Sequence, residues 1–451
     1  MTLKKNISML LALSFCTICS AGSGPGGSMT LHDCMEYAIS NSTKMRIRKA
    51  ATGDAQIDRR TAILSAFTPS ISGSSSAYYT FGRSIDPETN TYVTNTTFYN
   101  SYGISAGITV FDGFNAVNNI KIAKTSLLMG LSGEEQEQAA ICLATMEAFY
   151  NTVYYSSLSD VYRDVVKTAK QKVDAARKKE ELGVKGYAEV VQMESELAQR
   201  EYDLINTENL YNSALMTLKD VMFWPAGQEL SIDTSVADGN PLVANEGMSV
   251  DEVVEYAKEN RPEAKIAKGA MTNAELSLST EKMRVIPKFG LYAGWNTTYY
   301  KYPGSDIQTE PFADQFSHNA GEYIQLSMSI PIYDRLSRLS TISKKKNALQ
   351  KASAEYDQKL RDIDSEVRRA VQDRDGALAS YTQAQRKADV QSEAYRMNTK
   401  KYEQGLISPI EYQTATTDYL KSRSDRLDAM FRYFIKSSVV RYYAGESYIN
   451  Q

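Results

Sequence analysis

Apolar residues recur along this chain with two different periods. From about residue 99 to 111 polar and apolar positions alternate. Tyr102, Ile104, Ala106, Ile108 and Val110 fall on one face, and Ser101, Gly103, Ser105, Gly107 and Thr109 on the other. Such a period of two predicts a strand with one apolar face. Ile324, Leu326, Met328 and Ile330 alternate in the same way with Gln325, Ser327 and Ser329, and Phe289, Leu291, Ala293 and Trp295 with Gly290, Gly294 and Asn296. A weaker, serine-rich strand is predicted over about 71–81. Elsewhere the period is seven. Val190, Leu197, Leu204, Tyr211 and Leu218 form a heptad stripe, with Val191, Ala198 and Ile205 beside them. That pattern predicts a helix packed lengthwise on another helix. Polar-rich helices are also predicted over about 338–401 and 411–444, separated by Gly405 and Pro409, two residues a helix interior tolerates badly.

The pattern occurs twice. "MTLHDCMEYAISN" at 29–41 matches "MSVDEVVEYAKEN" at 248–260, an offset of 219. "VFDGFNA" at 110–116 matches "IYDRLSR" at 332–338, and "ELGVKGYAEV" at 181–190 matches "EQGLISPIEY" at 403–412, both at an offset of 222. A nearly constant offset over three segments marks an internal duplication. The predicted organisation is a first repeat over 29–222 (helix, strand pair about 69–112, long helical hairpin with its tip near 183–187), a linker over 223–247, and a second repeat over 248–446 (strand pair about 287–334, tip near 405–409). A helix of some 70 residues spans roughly 105 Å and must lie against other helices along its length. By periodicity alone a plain antiparallel coiled coil without a pore satisfies this equally.

The strand segments carry no charge on either face. Their polar face is almost only Ser, Gly, Thr, Asn and Gln, and aromatics gather at the ends: Tyr78, Tyr79, Phe81, Phe98, Tyr99, Tyr299, Tyr300 and Tyr302. A soluble sheet can alternate as well, but the combination fits membrane-spanning strands. The lipid-facing residues are then Tyr102, Ile104, Ile108, Val110, Ile324, Leu326, Met328 and Ile330. Four strands cannot close a barrel, and open edges in lipid leave unpaired backbone groups. Such a chain must pool its strands: two copies give eight and a filled barrel, three give twelve and room for a lumen. The connections at about 82–98 and 303–320 are polar and would face outside the cell.

Composition narrows the function. With 451 residues and a net charge of -3, nothing favours a nucleic-acid partner. Tyrosine is in excess at 30 residues, which suits surfaces that are apolar at one end and wet at the other. Lys4 and Lys5, an apolar run from Ile7 to Ile18, then Ser20, Ala21 and Gly22 predict a secretory signal over 1–21, followed by a flexible tether at 22–28. Cys16 and Cys19 are candidate lipidation sites, although Phe15 and Ile18 stand where a lipobox wants small residues. After cleavage Cys34 and Cys142 remain, too few for a disulfide framework. No apolar run is long enough for a transmembrane helix. His32 and His318 are too few for a usual His-based metal site, and no phosphate loop or nucleophile motif is present, so neither a cofactor nor an enzyme activity is expected. Asp362 and Asp364 lie among Arg361, Arg368 and Arg369 as on a solvated helix face.

The chain resembles the TolC family of outer-membrane efflux proteins over about 29–446. The motifs that carry the likeness are "LHDCMEYAISN" and "VDEVVEYAKENRPE", the strand exits "VFDGFNA" and "IPIYDRLSR", the turns "ELGVKG" and "YEQGLISPIEY", and the closing "SSVVRYYAGE". The resemblance implies a mainly helical chain of duplicated long-helix hairpins forming a coiled-coil-packed α-barrel, with four antiparallel strands per chain. Three copies would build a 12-stranded transmembrane β-barrel. It implies an outer-membrane protein of a Gram-negative cell that extends into the periplasm, with an equatorial belt beginning at "WPAGQELSIDTSVADGN". It implies a homotrimeric exit duct that docks with a periplasmic adaptor and an inner-membrane pump of RND, ABC or MFS type. Gly183, Val184, Gly405 and Leu406 match the adaptor-docking tips. Glu189, Glu411 and Tyr402 match the periplasmic gate. Both glutamates also read as first-turn helix acids favoured by the dipole. The sequence departs from the family at Ile407, where relatives carry an Arg that ties the mouth shut, at Thr414, which replaces an acid, and at the added Pro409. The competing reading is a periplasmic coiled-coil adaptor or structural protein, which leaves the duplicated uncharged strands unexplained.

Overall fold

The computed structural model describes residues 28–85, 90–184, 186–238, 249–304 and 308–450. The predicted leader, Cys16, Cys19, residues 22–27 of the tether and residues 239–247 of the linker lie outside the described residues. The elements are α1 (Leu31–Asn41), α2 (Thr43–Phe67), β1 (Ser70–Ile85), β2 (Tyr92–Phe111), α3 (Asn115–Glu181), α4 (Tyr187–Met222), α5 (Val250–Asn260), α6 (Pro262–Met283), β3 (Lys288–Lys301), α7 (Phe312–His318), β4 (Gly321–Ser329), α8 (Ser337–Glu403) and α9 (Pro409–Tyr443).

The repeat is visible in the local chemistry. α3 and α8 each have 67 residues, about 100 Å, and start and stop 222 residues apart. Both begin after a strand exit capped by an aspartate. Asp112 accepts the N–H of Ala116 at 2.9 Å, and Asp334 that of Arg338 at 3.0 Å. The two residues after each aspartate have positive φ: Gly113 and Phe114, then Arg335 and Leu336. Three of these four are not glycine, so the turn is strained in both copies. The leading helices share a cap as well. Thr30 and Asp33 exchange hydrogen bonds at the start of α1, as Ser249 and Glu252 do at the start of α5. The backbone N–H of Thr30 holds the Asp33 carboxyl below its ordinary value, and that of Ser249 does the same for Glu252.

Compact packing cuts across the repeats: among the described residues, those from 28–37 and 148–238 form one unit, and those from 38–147 and 249–450 the other. In the first, α4 lies along the second half of α3, with Arg163–Glu208 and Arg177–Glu194 ion pairs between them. The seam differs from the sequence expectation. Val190 and Leu218 are buried, but the companion column is Met193, Arg200, Thr207 and Ala214, three residues on, while Val191 and Ile205 are exposed. Heptad seams pair positions three or four apart, and adjacent residues point to different sides of a helix. The column includes a buried ion pair, Arg200 to Glu196 at 2.7 Å, with Asp203 at 3.2 Å.

In the second unit Val253, Val254, Ala257 and Ala264 pack on Ile363 and Val367 of α8, and Val440 of α9 packs on Ala370 and Val371. Asp364 is more than a solvated acid. It joins Arg368 at 2.6 Å to Lys258 of α5 at 3.1 Å, and those partners, Arg368 first, hold its carboxyl below the usual range. The same unit holds an antiparallel sheet in the order β1-β2-β3-β4.

Candidate functional site

The two hairpin tips are built alike. At the end of α3 the N–H of Gly183 bonds the carbonyl of Glu180 at 2.8 Å and that of Val184 bonds Lys179 at 2.9 Å. At the end of α8 Gly405 bonds Tyr402 at 3.0 Å and Leu406 bonds Lys401 at 2.8 Å. This is the glycine-ended helix cap in which the last carbonyls are satisfied through a left-handed residue. Gly183 and Gly405 have φ of 70° and 75°, which a Cβ disfavours. Each tip presents apolar side chains to solvent: Leu182, Val184 and Tyr187 on the first, Leu406 and Ile410 on the second.

The gate positions differ in their surroundings. Glu411 is exposed, and its carboxylate accepts the N–H of Ser408 while the Ser408 hydroxyl accepts the N–H of Glu411. Pro409 occupies the first turn of α9, where its missing N–H costs nothing. The added proline therefore starts a helix and disrupts none. Glu189 is half-buried in the first turn of α4, behind Gly186, which supplies no side-chain cap. Tyr402 is buried in a stack of rings within its own hairpin: Tyr402 on Tyr412 at 5.0 Å, Tyr412 near Tyr395 at 6.2 Å, Tyr395 on Tyr419 at 4.7 Å. The matching positions of the first hairpin are Glu180, Val190, Val173 and Leu197. Sequence reading missed this ladder, although the seven-residue spacing of 395 and 402, and of 412 and 419, carried the signal.

The sheet register brings the alternating residues together by face. Ile71, Ala106, Ala293 and Ile324 lie in one cross-strand row, Ile108, Leu291 and Leu326 in another, and Phe111, Phe289 and Met328 in a third. Tyr102 and Ile104 share this face, opposite Thr297 and Trp295. Ile104, Ile324, Leu326 and Met328 are exposed. Two expected members differ. Val110 falls at a bulge, so Phe111 takes the place opposite Phe289. Ile330 lies just beyond the end of β4. The other face is knit by hydroxyls, Ser72 to Ser105 at 3.0 Å and Ser76 to Ser101 at 2.7 Å. There the Tyr323 ring lies over Gly294, where a Cβ would come within 2.6 Å of it. Among the described residues both outer strands, β1 and β4, leave one edge without a strand.

The stretch expected to be a polar connection at 303–320 contains α7, which sequence reading missed. Its buried Gln315 accepts the backbone N–H of Tyr300 and donates to the carbonyl of the same residue, both at 3.0 Å. Asn319 donates to the carbonyl of Thr298 at 2.7 Å. β1 also runs further than expected, to Ile85.

Among the described residues no group of three or more His, Cys, Asp or Glu side chains is placed to hold a metal ion, and no helix is long and apolar enough to cross a membrane. Cys34 and Cys142 are buried, and burial pushes both thiols up to about 12. A cavity of about 260 Å³ lies among Cys142, Tyr256, Arg261, Tyr442 and Tyr448. There the Arg261 guanidinium stands 4.3 Å from the Tyr442 ring centre.

Twin long-helix hairpins with glycine tips, and a sheet whose strands carry charge only near their ends, at Arg83, Lys288, Lys301 and Glu322, define a subunit of a long-helix membrane channel. The chain belongs to the outer membrane efflux protein family, whose sequence profile matches residues 41–222 and 253–440. It is an outer-membrane protein of the TolC-like type. No curated protein matches it in sequence. Its fold is similar to that of CusC, described in structures of transmembrane channel formation (TM-score 0.75, 15% identity, covering 92% of each chain). It is also similar to the outer membrane protein VceC from Vibrio cholerae (TM-score 0.72, 14% identity, 93% of this chain and 96% of that one). A third likeness is to the open state of the Neisseria gonorrhoeae MtrE outer membrane channel (TM-score 0.74, 13% identity, 93% and 90%).

Proposed function

We propose that this chain is the passive exit duct of a tripartite efflux or type I secretion system, conducting small molecules or polypeptides from the periplasmic side to the exterior. The observation that carries the reading is the sheet. Four largely uncharged strands expose an apolar face on one side and a hydroxyl-lined face on the other, with both edges open. In lipid that arrangement is stable only when copies close it. Three copies supply twelve strands, enough for a water-filled lumen, and the apolar rows through Ile108, Ile324, Leu326 and Met328 then face lipid. The long hairpins extend the duct into the periplasm. Their tips dock a periplasmic adaptor coupled to an inner-membrane pump of RND, ABC or MFS type. Exposed Val184 and Leu406 support the docking role, since apolar side chains grouped at a tip favour a protein partner. Glu189, Glu411 and Tyr402 line or brace the periplasmic mouth. With Ile407 and Thr414 in place, the mouth is not latched by the Arg-centred ion pairs of relatives.

The test has two arms. Membranes from expressing cells are washed with carbonate; the protein is expected to stay with the outer membrane and to run as a heat-sensitive trimer. Release as a soluble monomer overturns the reading. Val184→Glu with Leu406→Glu is expected to abolish export while trimers persist. Unchanged export removes the docking assignment.

A further inference from the structure

We propose that α7 is a strand surrogate: it ends β-pairing between subunits at the outer end of β4 and seats against the upper half of β1 of the next copy of this chain. The inference rests on the trimeric reading above.

The strands of the sheet have unequal lengths. β4 has nine residues and pairs with β3 from Lys288 to Asn296. β3 continues to Lys301, so its last five residues have lost their strand neighbour on that side. α7 takes that place. The Gln315 side-chain amide offers one acceptor and one donor to Tyr300, the pair of bonds a continued β4 would offer, and Asn319 takes the carbonyl two residues back. Thr297 donates to the carbonyl of Phe316 at 2.9 Å, which fixes the helix on the sheet. An edge closed in this way cannot template a further strand.

The free edge of β1 is longer. β1 has sixteen residues, all paired with β2 on the other side. If β1 of the next copy meets β4 from their common periplasmic ends, Ser70 against Ser329, the ninth pair sets Gly321 against Tyr78. Residues 79–85 then stand level with α7.

The aromatic side chains indicate what closes the gap. On the apolar face a row of rings crosses the whole sheet at this height: Phe81 to Tyr79 at 6.3 Å, Tyr79 to Phe98 at 5.0 Å, Phe98 to Tyr299 at 6.4 Å, Tyr299 to Phe312 at 5.2 Å. Its two ends are open, Phe81 at 79% and Phe312 at 46% exposure. Each end lies on the edge that barrel closure brings to the other. The occupant that completes both is therefore a second copy, with Phe312 of one chain meeting Tyr79 and Phe81 of its neighbour to make a continuous aromatic belt.

The experiment uses the full-length trimer in outer membranes and a short bismaleimide. Phe81→Cys with Phe312→Cys is expected to give covalent dimers and trimers on a denaturing gel. Ser70→Cys with Ser329→Cys serves as the strand-edge control. Gln315→Leu is expected to lower the temperature at which trimers dissociate. Gln315→Glu, which still accepts the Tyr300 N–H but cannot donate to its carbonyl, is expected to fall between Gln315→Leu and the unchanged protein. A trimer in which the 81/312 pair stays monomeric on the gel overturns the α7 seat, whatever the control does. Absence of any trimer in the unmodified protein overturns instead the assembly reading on which the seat depends.

Discussion

The carboxylate of Glu411 accepts the backbone N–H of Ser408 at 2.8 Å, and the Ser408 hydroxyl accepts the N–H of Glu411 at 3.2 Å. This capping box starts α9 immediately after the tip. The reciprocal box is particular to Glu411, because at its counterpart Glu189 the cap residue is Gly186, which has no side chain to reciprocate. Cap and gate can be separated by chemistry, since the box accepts Gln as well as Glu.

Glu411→Gln is expected to leave tip stability unchanged, whereas Glu411→Ala and Ser408→Ala each cost about 1 kcal/mol at the start of α9. Hydrogen exchange of the first turn of α9 reads this. If the charge serves the gate, Glu411→Gln together with Glu189→Gln weakens block by trivalent cations in planar-bilayer conductance. Unaltered block demotes both residues to helix-start acids.

The tyrosine ladder predicts that the two hairpins melt differently. Tyr412 is buried between Tyr402 and Tyr395, so Tyr412→Ala removes a ring and leaves a cavity at a cost of about 3 kcal/mol. Amide exchange is expected to quicken at the tip of α8 and α9 and to stay unchanged at the tip of α3 and α4. Tyr395→Phe keeps the stacking and removes the 3.3 Å contact between the Tyr395 and Tyr412 hydroxyls, so it is expected to cost less than Tyr412→Ala.

His318 at the end of α7 lies 3.0 Å from the Glu310 carboxylate, which raises the imidazole above its ordinary value. A raised folded value means that the pair steadies α7 fully below the unfolded imidazole value, about 6.5, and that the effect is lost as pH rises through the higher folded value. Asp314 acts in the same direction. A nuclear resonance titration of His318 is expected to report the raised value and to return toward normal in Glu310→Gln. No change on that substitution disproves the pairing.

Cys34 and Cys142 are buried with thiols pushed up to about 12, so almost no thiolate exists at neutral pH. The folded protein is expected to resist maleimide labelling at both positions and to take it up on denaturation. Rapid labelling of the native protein contradicts this burial.

Much of the architecture is legible in the residues because its causes are local. A glycine in a left-handed cap, a Pro after Ser at a helix start and an aspartate at a strand exit each impose their turn wherever the chain goes. Their spacing of 222 residues repeats in the structure at Gly183 and Gly405 and at Asp112 and Asp334. The strained turns are less legible: Arg335 and Leu336 hold positive φ with no glycine to announce it. The stripe from Val190 to Leu218 is legible, but its flanking column is not, because a stripe of apolar residues beside another says nothing about which neighbouring helix each side meets. Arg200 and Glu196, charged neighbours of that stripe, are buried as a pair.

The sequence by itself determined the duplicated plan, the long helices, the tip positions and the alternation of the strands, since periodicity and turn chemistry act over a few residues. Only the tertiary structure decided where the alternation slips at Val110, how the tyrosines of the second hairpin interleave, and that Gln315 closes the edge of β3. Those depend on which segments, distant in sequence, arrive side by side. A glutamine in a connecting segment becomes a strand's substitute only when an unpaired edge is waiting beside it.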